Sequence, residues 1–100
     1  MRFLVVGLPT FPIPPEQLPS LVAAEPEWYG RHRDKIELHG WFAGGGGFAV
    51  VNVEDDATLN EIVIQHPFLP FSDVQVRAFV DHDTGLQQLE EVVRAMSAGG

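Results

Sequence analysis

Four consecutive glycines, Gly44 to Gly47, stand between two apolar runs in the stretch GWFAGGGGFAVVNVE. A phosphate-binding loop of the P-loop kind needs Gly-Lys-Ser/Thr entering a helix, whereas Gly47 is followed by Phe48, Ala49, Val50 and Val51. A dinucleotide fingerprint also opens a helix, because the helix N-terminus holds the pyrophosphate. Here the glycines lead into a β-branched run that reads as a strand. A linker between domains is excluded by length, since 100 residues make one ordinary domain, taken as residues 1–100. The glycines therefore predict a hairpin connection, where glycine permits positive φ and close backbone approach.

The rest of the chain supplies elements around that hairpin. Arg2 to Leu8 is rich in Val, Leu and Phe and predicts a first strand. The five prolines between Pro9 and Pro19 predict an extended loop. From about Ser20, Leu21, Ala24, Glu25, Trp28, His32, Ile36 and His39 recur at helical spacing, with regular helix starting only at Pro26, in its first turn, and Gly40 ending or following it. Strand two then runs from Leu38 or His39 to Ala43, and strand three from Phe48 to Glu54. The segment EDDATLNEIVIQH predicts a second helix, capped by Asp56 or by Thr58 with Glu61, its inner face formed by Leu59, Ile62 and Val63. Alternation of Val74, Val76, Ala78 and Val80 predicts strand four, and Leu86, Leu89, Val92, Val93 and Met96 predict a short C-terminal helix that frays in its last residues. The order β-α-β-β-α-β is that of a ferredoxin-like α+β fold, a four-stranded antiparallel sheet with two helices on one face. Apolar side chains on both sheet faces predict that a second copy of the chain covers the other face.

Charge narrows the partners. The formal net charge is −8 with six Lys and Arg, which disfavours nucleic acid and anionic membrane surfaces. There is no cysteine, hence neither a thiolate nucleophile nor a cysteine metal site. The N-terminal apolar run is interrupted by Gly7 and Pro9 and no apolar stretch approaches a membrane span, so a soluble, cytoplasmic chain is expected. No spacing of the four histidines suggests a metal site, and no flavin or nicotinamide fingerprint occurs, so no cofactor is expected.

The stretch LNEIVIQHPFLPFSDVQVRAFVDHDTG resembles the C-terminal half of bacterial muconolactone isomerases. The resemblance rests on Leu59, Glu61 and Ile62, the loop Pro67, Phe68, Leu69, Pro70 and Phe71, then Asp73, Val74 and Val76, with His82 beyond. In the N-terminal half, Arg31-His32-Arg33-Asp34-Lys35 stands near where that family has a charged helix, without a residue-by-residue match, and the glycine run departs from the family pattern. The resemblance implies a dimeric α+β barrel with a cleft between helices and sheet. By analogy of fold, the wider superfamily adds cofactor-free monooxygenases of aromatic polyketides, polyketide cyclases, chlorite dismutase-like haem proteins and small stress-response proteins.

Within such a cleft, the stripe of Trp28, His32 and Ile36 on the first helix makes His32 the expected general base. Tyr29 beside it, or a backbone N–H, is the expected donor to a developing enolate oxygen. On strand two, either His39, Trp41 and Ala43 or Leu38, Gly40 and Phe42 face the cleft; the first set forms an aromatic wall suited to a flat ligand. Phe68 and Phe71 join the expected substrate-binding set. His66 is read as stabilising the end of the second helix. Together these predict an isomerase or cyclase that moves a proton on a hydrophobic unsaturated lactone or polyketide-like carbonyl compound. Oxygen addition by a cofactor-free monooxygenase and plain ligand binding or assembly are the alternatives.

Overall fold

The computed structural model of the chain describes residues 1–99. Its order is β1 (Arg2–Pro9), α1 (Leu18–His32), β2 (Ile36–Trp41), β3 (Gly47–Asn52), α2 (Asp56–Ile64), β4 (Ser72–Phe79) and α3 (His82–Gly99), with short 3₁₀ turns at Pro15–Gln17 and Leu69–Phe71. The strands form one antiparallel sheet in the order β2-β3-β1-β4. This is the expected ferredoxin-like α+β arrangement. Phe3, Ala49 and Val51 project from the sheet into a core closed by Trp28 of α1 and by Leu59 and Ile62 of α2, with Ile36 and Val53 beside them. On strands, positions two apart share a face, so the same register that buries Phe3 and Val51 turns Leu4, Val6 and Val50 the other way. These are only partly covered within one chain.

Helix α1 begins at Leu18, before the expected start, and runs through Pro26. Pro19 occupies the first turn, where its missing N–H has no intrahelical acceptor to lose. Pro26 gives up one i to i−4 bond, but it and Val22, whose carbonyl would accept that bond, both lie on the exposed side, where water replaces it. The helix ends at His32, so Ile36 and His39 are not helical as the periodicity predicts. Sheet pairing wins: Ile36 is buried opposite Val51, and Asn52 N–H donates to the Lys35 carbonyl at 2.8 Å. Gly40 ends no helix but lies inside β2, where the Phe48 ring comes within 2.7 Å of where a Cβ would be.

The glycine run makes the expected β2-β3 hairpin. Phe42 N–H donates to the Gly46 carbonyl at 2.9 Å and Gly45 N–H to the Phe42 carbonyl at 3.1 Å. Gly44, Gly45 and Gly46 have φ of 89°, 117° and 88°, a region side chains rarely enter. A Cβ on Gly46 would sit 2.5 Å from the Gly7 carbonyl oxygen, so this position excludes any side chain twice over.

Helix α2 is capped by Asp55 rather than by Asp56 or Thr58. Its carboxylate accepts from Thr58 N–H at 2.7 Å, and that bond holds the Asp55 carboxyl below the usual carboxylate range. Helix α3, capped in the same way by Asp81 on Thr84 N–H, is 18 residues long rather than short. It buries none of its residues in this chain. At 1.5 Å per residue it adds about 27 Å of rod, and the molecule measures 63 × 26 × 22 Å. The radius of gyration is 17.6 Å, against about 13 Å for a closed chain of this length. Among the described residues no helix is long and apolar enough to cross a membrane.

Candidate active site

A cavity of about 300 Å³ opens between the helices and the sheet. Its floor is the core face of the sheet, including Val5, Ala49 and Val74, and Gly45 to Gly47 close one side. Without side chains, that hairpin brings bare backbone to the cavity edge. Trp41, Phe68 and Phe71 form the rim, with the Trp41 and Phe68 rings edge-on at 6.2 Å. Trp28 forms the inner wall, 3 % exposed, its indole N–H donating to the Ile62 carbonyl at 2.8 Å. That bond fixes the ring plane and ties α1 to α2.

Two imidazoles reach this otherwise apolar wall, His39 from β2 and His66 from the loop after α2. They flank Trp28 with ring centroids at 5.6 and 4.4 Å. Behind them lies Glu25, one turn before Trp28 on the same buried stripe of α1. Glu25 Oε1 is 2.5 Å from His39 Nε2 and 4.0 Å from His66 Nε2.

Proton positions follow from the partners. His39 Nδ1 is 3.0 Å from the Phe48 carbonyl, which only accepts, so Nδ1 carries a hydrogen. Two bare lone pairs would repel across the short gap to Glu25, so a second hydrogen lies between Nε2 and Oε1. The Glu25–His39 pair thus shares one proton on a buried line. His66 has the opposite arrangement: Phe68 N–H donates to Nδ1 at 3.1 Å, which puts the ring hydrogen of the neutral form on Nε2, facing Glu25. Burial lowers the His66 pKa and so favours that neutral form, an effect partly offset by the Glu25 carboxylate. The site therefore combines a carboxylate that takes or returns a proton with a neutral imidazole N–H that donates to an oxygen.

The structure brings together Trp28, His39, Trp41, Phe68 and Phe71 of the sequence-predicted set, and settles that the His39–Trp41 face of β2 is the one turned to the cavity. His32, Tyr29 and Ile36 do not line it. His32 is buried with Nε2 on the Gln65 side-chain oxygen at 2.9 Å, so it links α1 to the end of α2. Tyr29 packs edge-on to His39 at 5.2 Å from outside the cavity, under the Arg33 guanidinium. Ile36 belongs to the core, paired beside Val51 of β3. His82 is exposed at the start of α3. Sequence reasoning missed Glu25 and gave His66 only a helix-end role. The signal for Glu25 was available: an acid three residues before Trp28 on an apolar stripe must be paired if buried. Among the described residues no group of His and acids is arranged to hold a metal ion.

An antiparallel ferredoxin-like sheet with a cavity of about 300 Å³ under its helices defines the class. More particularly, the chain has the muconolactone isomerase-like fold. It superposes on muconolactone isomerase with a TM-score of 0.71 and 25% identity, covering 82% of this chain and 91% of that one. It also superposes on 5-chloro-2-hydroxyhydroquinone dehydrochlorinase from Burkholderia phenoliruptrix AC1100, in complex with 2,5-dihydroxybenzoquinone, with a TM-score of 0.65 and 19% identity over 84% of this chain and 98% of that one. No protein-family model matches the chain, and no curated protein matches it in sequence.

Proposed function

We propose that the protein is an enzyme of isomerase or lyase type that moves a proton on a small unsaturated carbonyl compound, with Glu25, His39 and His66 as its machinery. The observation that carries the reading is the buried Glu25 carboxylate held between the Nε2 atoms of two cavity-lining histidines. A ligand seated against the rings places its carbonyl oxygen on His66 Nε2–H and its acidic C–H at the gap between the two imidazoles, behind which the Glu25 carboxylate lies without itself lining the cavity. The C–H bond breaks, its proton goes to the Glu25 carboxylate, and its electron pair moves into the carbonyl as an enolate. His66 stabilises the enolate oxygen, and His39 keeps its own proton and holds the carboxylate in place. Return of the proton to a different carbon completes an isomerisation. Attack of the enolate carbon on a second carbonyl, whose oxygen takes the electron pair and then the proton held by Glu25, completes a cyclisation. Neither outcome calls on a cofactor. Likeness in fold to an isomerase and to a dehydrochlorinase supports this class of chemistry.

A second copy of the chain belongs to the same reading. Leu86, Leu89, Val93 and Met96 recur at spacings of three and four along α3, all exposed, as a stripe with no partner in its own chain. Exposed Leu8 and Leu38, beside the half-covered outer sheet face, offer a matching apolar surface. A homodimer that buries both is the assembly these surfaces favour.

The direct test is incubation with an unsaturated γ-lactone ester in deuterated buffer, followed by NMR. Double-bond migration or ring closure with deuterium uptake at carbon supports the reading. A protein that binds the lactone without exchanging any proton contradicts it and leaves ligand binding.

A further inference from the structure

The chemistry of the cavity wall also restricts the charge and size of what it takes. We infer that the ligand is uncharged and has one or two rings, and that a carboxylate-bearing lactone is excluded at neutral pH. This rests on the cavity being the substrate site of the proton-transfer reading.

Among the described residues no Lys or Arg lines the cavity. The chain has six basic side chains, and those with described partners are engaged elsewhere. Arg2 pairs with Glu37, Lys35 with Asp34, and Arg33 lies over Tyr29. Arg77 alternates with Val76 on β4 and projects from the opposite sheet face, level with Leu4. Arg31 is exposed near the end of α1, and Arg94 stands on α3 beside Glu90 and Glu91. An α3 delivered by a second copy would therefore bring more negative than positive charge.

The polar side chains that do reach the cavity are already committed. His39 is bonded at both nitrogens, to Phe48 and to Glu25, and the Ser72 hydroxyl donates to the Phe68 carbonyl. Of the described side chains, the N–H of His66 is the donor that remains, and it suits one carbonyl oxygen. An anionic ligand would enter an apolar space with no Lys or Arg, beside a His39 whose second proton is already shared with Glu25, a charge burial without a free counter-ion. Size points the same way: a volume of about 300 Å³ is at the lower end for ligand cavities. The edge-on aromatic rim favours a flat ring over a flexible chain.

Muconolactone, whose side arm is a carboxylate, and its methyl ester form a matched pair of probes. Both tryptophans of the chain line the cavity, so intrinsic fluorescence reports occupancy. At about pH 7.5 and fixed ionic strength, the ester should bind on the order of tenfold or more tighter than the acid. Equal or tighter binding of the carboxylate, or no quenching by the ester, overturns the inference. Deuterium uptake in the same samples separates this from the reading beneath it. Tight ester binding without exchange keeps the charge inference and removes proton transfer. Exchange on a tightly bound carboxylate does the reverse.

Discussion

Glu25 on α1 and His39 on β2, fourteen residues apart in sequence, share a proton across 2.5 Å in the wall of the cavity. Two halves of the fold meet at that bond, because α1 crosses the sheet face on which β2 presents its imidazole.

Breaking the pair from one side should cost stability as well as chemistry. His39→Ala leaves the buried Glu25 carboxylate without its partner, with an expected loss of about 3 to 5 kcal/mol in urea denaturation. The double variant Glu25→Gln/His39→Ala should recover part of that loss, because no buried charge is left behind. Additive losses would mean that the two groups are not coupled.

Stability should fall on mild acidification, and His66 sets the window. Its folded pKa lies below the ordinary imidazole value of about 6.5 because of burial. As pH drops through about 6.5, the unfolded chain takes up this proton before the folded one, so stability declines until the folded ring is protonated too. His66→Asn keeps an acceptor for Phe68 N–H but does not titrate, and should flatten urea midpoints measured from about pH 8 to about pH 5. Asp55, Asp81 and Glu37, all with lowered pKa values from hydrogen bonds, contribute a separate loss only at lower, carboxylate pH.

The glycines are not equivalent. Gly44→Ala places a side chain at φ 89° with open space around it, and should cost about 1 to 2 kcal/mol. Gly46→Ala adds the clash with the Gly7 carbonyl and should cost clearly more, and should also disturb ligand binding because the hairpin borders the cavity. Thermal melts and fluorescence titrations of the two variants check the ranking.

Two acids on the α3 stripe should dissolve the assembly. The wild-type chain should sediment as a dimer or larger, and Leu89→Asp/Val93→Asp as a monomer of 11.0 kDa. An unchanged sedimentation coefficient would show that α3 has another role.

The element order and the hairpin were legible from local signals, because strand alternation, prolines and four adjacent glycines act over a few residues. The end of α1 was not. Helical spacing from Trp28 continues numerically through His32, Ile36 and His39, and only pairing of Ile36 with Val51, fifteen residues away, ends it. Alternation placed His39 and Trp41 on one face of β2 but left open whether that face or the one with Leu38 and Phe42 turns to the cavity. The polar cluster was not legible, since Glu25, His39 and His66 come from three elements and their meeting depends on how α1 lies across the sheet. His32 had the right residue type on the right helix, but tertiary packing points it at Gln65.

The most direct test compares solvent deuterium uptake into a bound unsaturated lactone ester for the wild type, Glu25→Gln and His32→Gln. With Glu25 as the base, uptake in Glu25→Gln should fall on the order of 10² to 10⁴-fold while the ester still quenches tryptophan fluorescence, and His32→Gln should stay near wild type. Full activity in Glu25→Gln, or its loss in a folded His32→Gln alone, would contradict the assignment.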